Sequence, residues 1–183
     1  VLVSVVEGSN EIGVLQPIPD IARTIRHWKK HVLGDHASLY PLLLSDASQS
    51  VKWVAFDTRT SGPDLIVLNG QKIYGPHGVG VLYRKRGTPI SPIMGGGFQE
   101  FGLRPGTPHV SGALGFAKAL ELLLAERPEA TRRVQSLQEL LLELLEQKFR
   151  GTYTVHGSLE HRMPDNLNIT FHGFESELLV IEL

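Results

Sequence analysis

Three short stretches carry the side chains best suited to chemistry, and each follows an apolar run. They are Glu7 to Gly13 ("EGSNEIG"), Leu44 to Ser50 ("LSDASQS") and Leu68 to Gly78 ("LNGQKIYGPHG"). In open α/β sheets, ligands bind beyond the carboxyl ends of the strands. If the apolar runs are strands, Asn10, Asp46, Gln49, Asn69, Gln71 and Lys72 gather around one crevice. A lysine amine can form a Schiff base with a carbonyl group. A carboxylate can keep a pyridinium nitrogen protonated, which makes the ring an electron sink. Amides can bond a phenolic oxygen, and backbone N–H groups can cradle a phosphate.

Lysine, aspartate and amides together fit pyridoxal phosphate better than a nucleotide. No G-x-x-x-x-G-K-[ST] motif is present, and "GPHGVG" is a poor match to G-x-G-x-x-G. Taken singly, the same residues have plainer readings. Lys72 alone fits a surface lysine, and Asp46 alone fits a turn or cap. His27 and His31 stand at i, i+4, a spacing that can bind zinc. "HWKKH" lacks the glutamate of H-E-x-x-H, so solvated histidines are expected there. Arg23, Arg26, Lys29 and Lys30 form a basic stripe beside them, read as a solvated face.

The elements that must position these groups alternate between strand and helix patterns, as in α/β proteins. Strands are expected at Val1–Val6, Pro41–Leu44, Leu65–Leu68 and Gly80–Tyr83, and their apolar character suits burial on both faces. Ile18, Ile21, Ala22 and Ile25 mark a helix within Pro17–Val32. From Ser111, Phe116, Leu120 and Leu123 mark one helical face. Pro128 interrupts the pattern, and Leu137, Leu140, Leu141, Leu144 and Leu145 mark a second face, expected in the core. "TYTVHG" and "NLNITFHG" read as two strands, and Ser176–Leu183 as the start of a helix. A boundary near residue 123 divides the chain into 1–123 and 124–183.

Bulk properties narrow the classes. The 183 residues are 42% hydrophobic and 20% charged with net charge −1, so no broad attraction to nucleic acid or anionic membrane is expected. There is no cysteine, which excludes disulfides, thiolate metal sites and a cysteine nucleophile within these residues. No apolar run approaches the ~20 residues of a membrane span, and the default compartment is the cytoplasm. The chain opens in a strand-like run without Met and stops within an amphipathic pattern, as expected for a fragment of a longer protein. Such a fragment is expected to expose apolar surface.

Five stretches in order carry a family resemblance: "SNEIGVLQPI", "LSDASQS", "QKIYGPHGVGVLY", "PIMGGGFQEFGLRPGTPHV" and "MPDNLNITFHGFESELLVIEL". The chain resembles the middle of a class V aminotransferase of the cysteine desulfurase (NifS/IscS-like) family. The resemblance implies part of the pyridoxal-phosphate-dependent transferase fold type I. That is a mixed, mostly parallel sheet flanked by helices (residues 1–123, the large cofactor-binding domain), followed by the start of a small α+β domain (124–183). It implies that Lys72 bonds the cofactor covalently and then shuttles protons. Asp46 would face the pyridine nitrogen and Gln49 the phenolic oxygen, with Asn10 near the cofactor oxygen and the substrate carboxylate. Thr107 would reach the phosphate of the neighbouring subunit in a homodimer with shared active sites. Arg104, in the same motif, is divided between a structural and a functional reading.

The implied activity is removal of sulfur from L-cysteine to give L-alanine and an enzyme persulfide. The sulfur would pass to an iron–sulfur scaffold or a tRNA-thiolation protein. The persulfide cysteine and the substrate-clamping arginine would lie outside this chain, which alone should not turn over cysteine. Two departures stand out. The family's phosphate-binding serine and histidine are replaced by Asn69 and Gln71, neither of which carries a positive charge. Extra length places an insertion at about His27–Leu39. Two other readings remain open: another class V enzyme, such as a selenocysteine lyase, a kynureninase-like hydrolase or an aminotransferase, or a non-catalytic protein of the same fold.

Overall fold

A computed structural model describes residues 1–182 except 33–38, 56 and 61. Residues 33–38 of the expected insertion at about His27–Leu39, and the last residue of the expected Ser176–Leu183 helix, lie outside the described residues.

Four strands form one sheet in the order β1 (Leu2–Val6), β2 (Leu42–Asp46), β3 (Leu65–Asn69) and β4 (Gly80–Arg84). The first three are parallel, with Val6 opposite Asp46 and Asp46 opposite Val67. Strand β4 returns antiparallel to β3, with Asn69 opposite Gly80. This is the mixed, mostly parallel sheet expected from the sequence. Burial on both faces holds for β2 and β3, where most residues are inaccessible. It fails for β1 and β4, which expose Leu2, Val6, Val81 and Leu82. Those two strands are the sheet's edges among the described residues, and an apolar edge strand is a surface that calls for a cover.

Two helices pack on the sheet. In α1 (Ile18–His31), Ile18 and Ala22 lie one turn apart and bury against Leu43, with Val3, Val5, Ile21 and Ile25 beside them. Pro17 occupies the N-cap, just before the turn where a missing N–H costs nothing. His27 and His31 are exposed, with ring centroids 4.3 Å apart. No cluster of three or more metal-ligating side chains occurs among the described residues.

Helix α2 (Val110–Phe149) is continuous through Pro128 and through the boundary expected near residue 123. A proline within a helix removes one i→i−4 hydrogen bond and crowds the carbonyl four residues earlier. Here it is surrounded by strong helix formers, such as "LLLAER" before it and "SLQELLLELLEQK" further on, and these carry the helix past it. Phe116 near its start is buried, and Ala119, Leu120 and Leu123 pack beside it. Of the second leucine face only Leu145 is buried; Leu137, Leu140, Leu141 and Leu144 are exposed rather than in the expected core. The second half of α2 lies beside β5 (Tyr153–Val155) and β6 (Ile169–Phe171), an antiparallel pair. Three-residue strands cover little of a long helix, and the contact there is narrow: the rings of Phe149 and Phe171 meet edge to face at 5.7 Å. The short helix α3 (Ser176–Glu182) follows.

The larger buried cluster joins Ala47, Val51, Ile66, Leu68, Ile73 and Phe116. Phe116 is its only aromatic ring and its only member from α2. Phe116→Ala is expected to cost about 3–5 kcal/mol, read from the midpoint of chemical denaturation. A loss below about 1 kcal/mol would mean that α2 does not close this core.

Candidate functional site

Each polar stretch singled out in the sequence begins where a strand ends, and each is held by its own backbone bonds. Asn10 lies in the turn after β1. The Ser9 N–H donates to the Val14 carbonyl (3.0 Å) and the Gly13 N–H to the Ser9 carbonyl (3.0 Å). The Ser9 hydroxyl accepts the amides of Glu11 and Ile12, both at 3.3 Å. Gly13 takes φ +75°, and a Cβ there would stand 3.0 Å from two oxygens of Asn166. That conformation and that close approach both call for glycine.

Asp46 is the last residue of β2 and is half-buried. One carboxylate oxygen accepts the Ser48 amide at 3.0 Å, an aspartate turn that redirects the chain into the 3₁₀ turn Ser50–Lys52. Gln49 is the residue before that turn and is half-buried. Asn69 ends β3 and caps the 3₁₀ turn Gly70–Ile73, its side-chain oxygen accepting the Gln71 amide at 3.1 Å. Lys72 lies within this turn, exposed, and has no hydrogen-bond or ion-pair partner among the described residues.

The turn cannot drift. Ile73 is buried in the main core, the Gly70 N–H donates to the Val79 carbonyl at 2.8 Å, and the Gly75 N–H donates to the Gly70 carbonyl at 2.9 Å. A Cβ at Gly70 would come within 2.9 Å of the carbonyl oxygens of both Pro76 and Val79. Tyr74 leaves the turn in the left-handed region at φ +61°. Asn10, Asp46, Gln49, Asn69, Gln71 and Lys72 thus stand on turns at the carboxyl ends of three neighbouring parallel strands. Thr107 lies apart in sequence, exposed, three residues before α2. Arg104 is exposed, and its guanidinium bonds the carbonyl of Pro105.

Two cavities open nearby, one of about 380 Å³ and one of about 460 Å³. Neither is lined by any of these residues. The smaller cavity holds a group that sequence reading passed over. Glu7, next after β1, lines it with Gln16, Ser45 and Asp57. Burial pushes the Glu7 carboxyl above its ordinary range, against the opposing pull of hydrogen bonds from Ser45 and Ser50. The Ser45 hydroxyl donates to it at 3.1 Å. The available signal was a carboxylate ending an apolar strand just before Gly8, whose absent Cβ leaves space that the Met163 sulfur fills.

A mixed, mostly parallel sheet with an aspartate ending one strand and a lysine just beyond the next is an α/β architecture, of the kind in which ligands bind at that edge. The family model for aminotransferase class-V matches residues 1–183, and the chain belongs to that family. A cysteine desulfurase IscS of Anaeromyxobacter dehalogenans (strain 2CP-C) is 40% identical over 183 residues, covering 99% of this chain and 42% of the relative. Another, from Dictyoglomus turgidum, is 32% identical over all of this chain and 43% of its own length. Among solved structures, DndA from Streptomyces lividans superposes with a TM-score of 0.81 at 33% identity, over 98% of this chain and 48% of that one. A NifS-like protein from Rickettsia africae gives 0.85 at 26% identity, over 98% and 46%. The chain therefore spans less than half the length of the curated relatives it matches, and its fold is a part of theirs.

Two outcomes follow from the site's construction. Because the folded carboxyl of Glu7 holds its proton above the ordinary value of 4.5, the unfolded chain gives up that proton first as pH rises. Stability linked to Glu7 is thus complete below pH 4.5 and is lost as pH rises through the raised folded value. Glu7→Gln is expected to remove that loss, seen as a flatter curve of denaturation midpoint against pH. Gly70→Ala is expected to displace the lysine turn and cost about 1–3 kcal/mol by overpacking, measured by chemical denaturation. An unchanged midpoint would show that the turn yields freely.

Proposed function

We propose that this chain is the cofactor-binding part of a cytoplasmic, homodimeric, pyridoxal-phosphate-dependent cysteine desulfurase. The parent removes sulfur from L-cysteine, releases L-alanine and passes the sulfur, as a persulfide, to an acceptor protein of iron–sulfur cluster assembly or tRNA thiolation. Residues 1–123 belong to its large domain and 124–183 to its small domain, with α2 running through both. The observation that carries the reading is the placement of Asp46 and Lys72 beyond the carboxyl ends of adjacent parallel strands, each next in sequence to a residue of one buried cluster (Ala47 and Ile73).

The donor set suits the cofactor. Lys72 has an amine with no competing partner among the described residues, as a covalent bond to an aldehyde requires. Asp46 spends one oxygen on the Ser48 amide and keeps the other for a proton on a ring nitrogen. Asn69 spends its side-chain oxygen on Gln71, which leaves its NH₂ to donate to a phosphate. The Gln71 side chain is a second neutral donor on the same turn. Gln49 would bond the phenolic oxygen, and Asn10 would hold that oxygen and the substrate carboxylate. Thr107 would donate its hydroxyl to the phosphate in the neighbouring subunit.

The bound ring would supply an electron sink for the charge left at the substrate's α-carbon. Lys72 would take the proton from that carbon and later return one. The negative charge of Asp46 would keep the ring nitrogen protonated throughout. The chain has no cysteine, so the persulfide would form on a cysteine elsewhere in the parent.

The test uses the full-length protein. Adding pyridoxal phosphate is expected to produce a visible absorption band, and borohydride reduction to fix the cofactor on the peptide carrying Lys72. Lys72→Ala should abolish both and lower alanine release from L-cysteine by about 10²-fold or more. A label on another lysine, or a band that survives in Lys72→Ala, overturns the reading.

A further inference from the structure

The turn that carries Asn10 is gripped from far along the chain. The Asn166 side-chain amide donates to the Asn10 carbonyl at 2.9 Å, and that of Asn168 donates to the Glu11 carbonyl at 3.2 Å. The buried guanidinium of Arg162 donates to the Ile12 carbonyl at 2.7 Å, and the Met163 N–H donates to the Gly13 carbonyl at 2.8 Å. Four consecutive carbonyls, from Asn10 to Gly13, are therefore all held by donors from residues 162–168. The Leu15 N–H adds a bond to the His161 carbonyl at 2.9 Å.

The gripping segment is itself fixed. The side-chain amide of Gln138, on α2, donates to the carbonyl of Pro164 at 3.0 Å. Arg162 also donates to the carbonyl of His156, at 3.0 Å. Packing is close enough that a Cβ on Gly8 would stand 2.7 Å from the Met163 sulfur, and one on Gly157 would stand 2.5 Å from a Val14 methyl. A second tie reaches the turn that follows Gln49: Lys52 pairs with Asp165 at 2.7 Å, the two side chains only 15% and 29% exposed.

Three of these side chains do something a merely packed segment would not need. Arg162, through one guanidinium nitrogen, and Asn166 and Asn168, through their amides, donate to backbone carbonyls that neither a helix nor a sheet ladder uses. Such carbonyls could otherwise bond to water, and the turn would then be free to adopt other conformations. We propose that Arg162, Asn166 and Asn168 are positioning residues, which hold the Asn10–Gly13 turn in the one conformation that presents the Asn10 side chain to the cofactor. The packing of the small-domain segment is thereby coupled to the cofactor's hydrogen-bond partners. This inference rests on the reading of Asn10 as a cofactor contact.

The experiment uses the full-length protein and the variants Asn166→Ala, Asn10→Ala and the double variant. In the cofactor-free protein, amide hydrogen exchange across residues 9–16 is expected to rise about fivefold to tenfold in Asn166→Ala, with the β2 and β3 peptides unchanged. In a titration with pyridoxal phosphate, Asn166→Ala should bind about threefold to tenfold more weakly, as should Asn10→Ala. The double variant should bind no more weakly than Asn10→Ala alone, since the grip acts through that side chain. Unchanged exchange over residues 9–16, or additive losses in the double variant, overturns the proposal. A wild-type protein that binds no pyridoxal phosphate overturns the functional reading and the cofactor-facing half of this one. The exchange measurement still decides whether residues 162–168 hold the turn.

Discussion

The arrangement of this molecule depends on one buried cluster: Ala47, Val51, Ile66, Leu68, Ile73 and Phe116. Every polar residue of interest on β2 and β3 is a near neighbour of a cluster member. Asp46 precedes Ala47, Gln49 lies between Ala47 and Val51, Asn69 follows Leu68, and Lys72 precedes Ile73. The hydrophobic effect is non-directional, yet here it places polar groups, because each is tethered by a few bonds to an apolar side chain that has one place to go. The 3₁₀ turn of Lys72 shows this most clearly. Ile73 points inward, so the lysine beside it must face outward. Close packing then limits how far that turn can move.

The remainder of the fold is less complete. The edges β1 and β4 expose leucines and valines, and the second half of α2 exposes leucines. A surface of that kind is costly to leave in water, and the curated relatives carry more than half of their length outside the part that this chain matches. Neither nearby cavity is lined by Lys72 or Asp46.

Side-chain hydrogen bonds to backbone carbonyls give the first polar turn a different support from the other two. The turns after β2 and β3 are organised locally, by Asp46 on Ser48 and Asn69 on Gln71. The turn after β1 has local bonds through Ser9, but among the described residues its carbonyls from Asn10 to Gly13 are satisfied by Arg162, Met163, Asn166 and Asn168. A rearrangement of the segment 162–168 would therefore reach Asn10 directly, and the turn after β2 through the pair of Lys52 with Asp165. Residues 162–168 are linked to the turn after β1 through hydrogen bonds as well as through the continuous helix α2.

Much of this was legible in the residues. Apolar runs broken by polar, glycine-bearing turns predict strands and the ends where ligands bind, since side-chain alternation and turn chemistry are local. Ile18 and Ala22 at one-turn spacing likewise revealed the face of α1 that packs inward. Neighbour-dependent features were not legible. Whether an apolar strand is central or at an edge depends on what pairs with it, so the exposure of β1 and β4 could not be read from their composition. Pro128 argued for a break, and the helix formers around it, summed over many residues, outweighed one proline. Least visible was the grip on Asn10 to Gly13. Every residue carries a carbonyl, so the acceptor has no signature in sequence, and its donors stand about 150 positions away. Only the folded chain could bring them together.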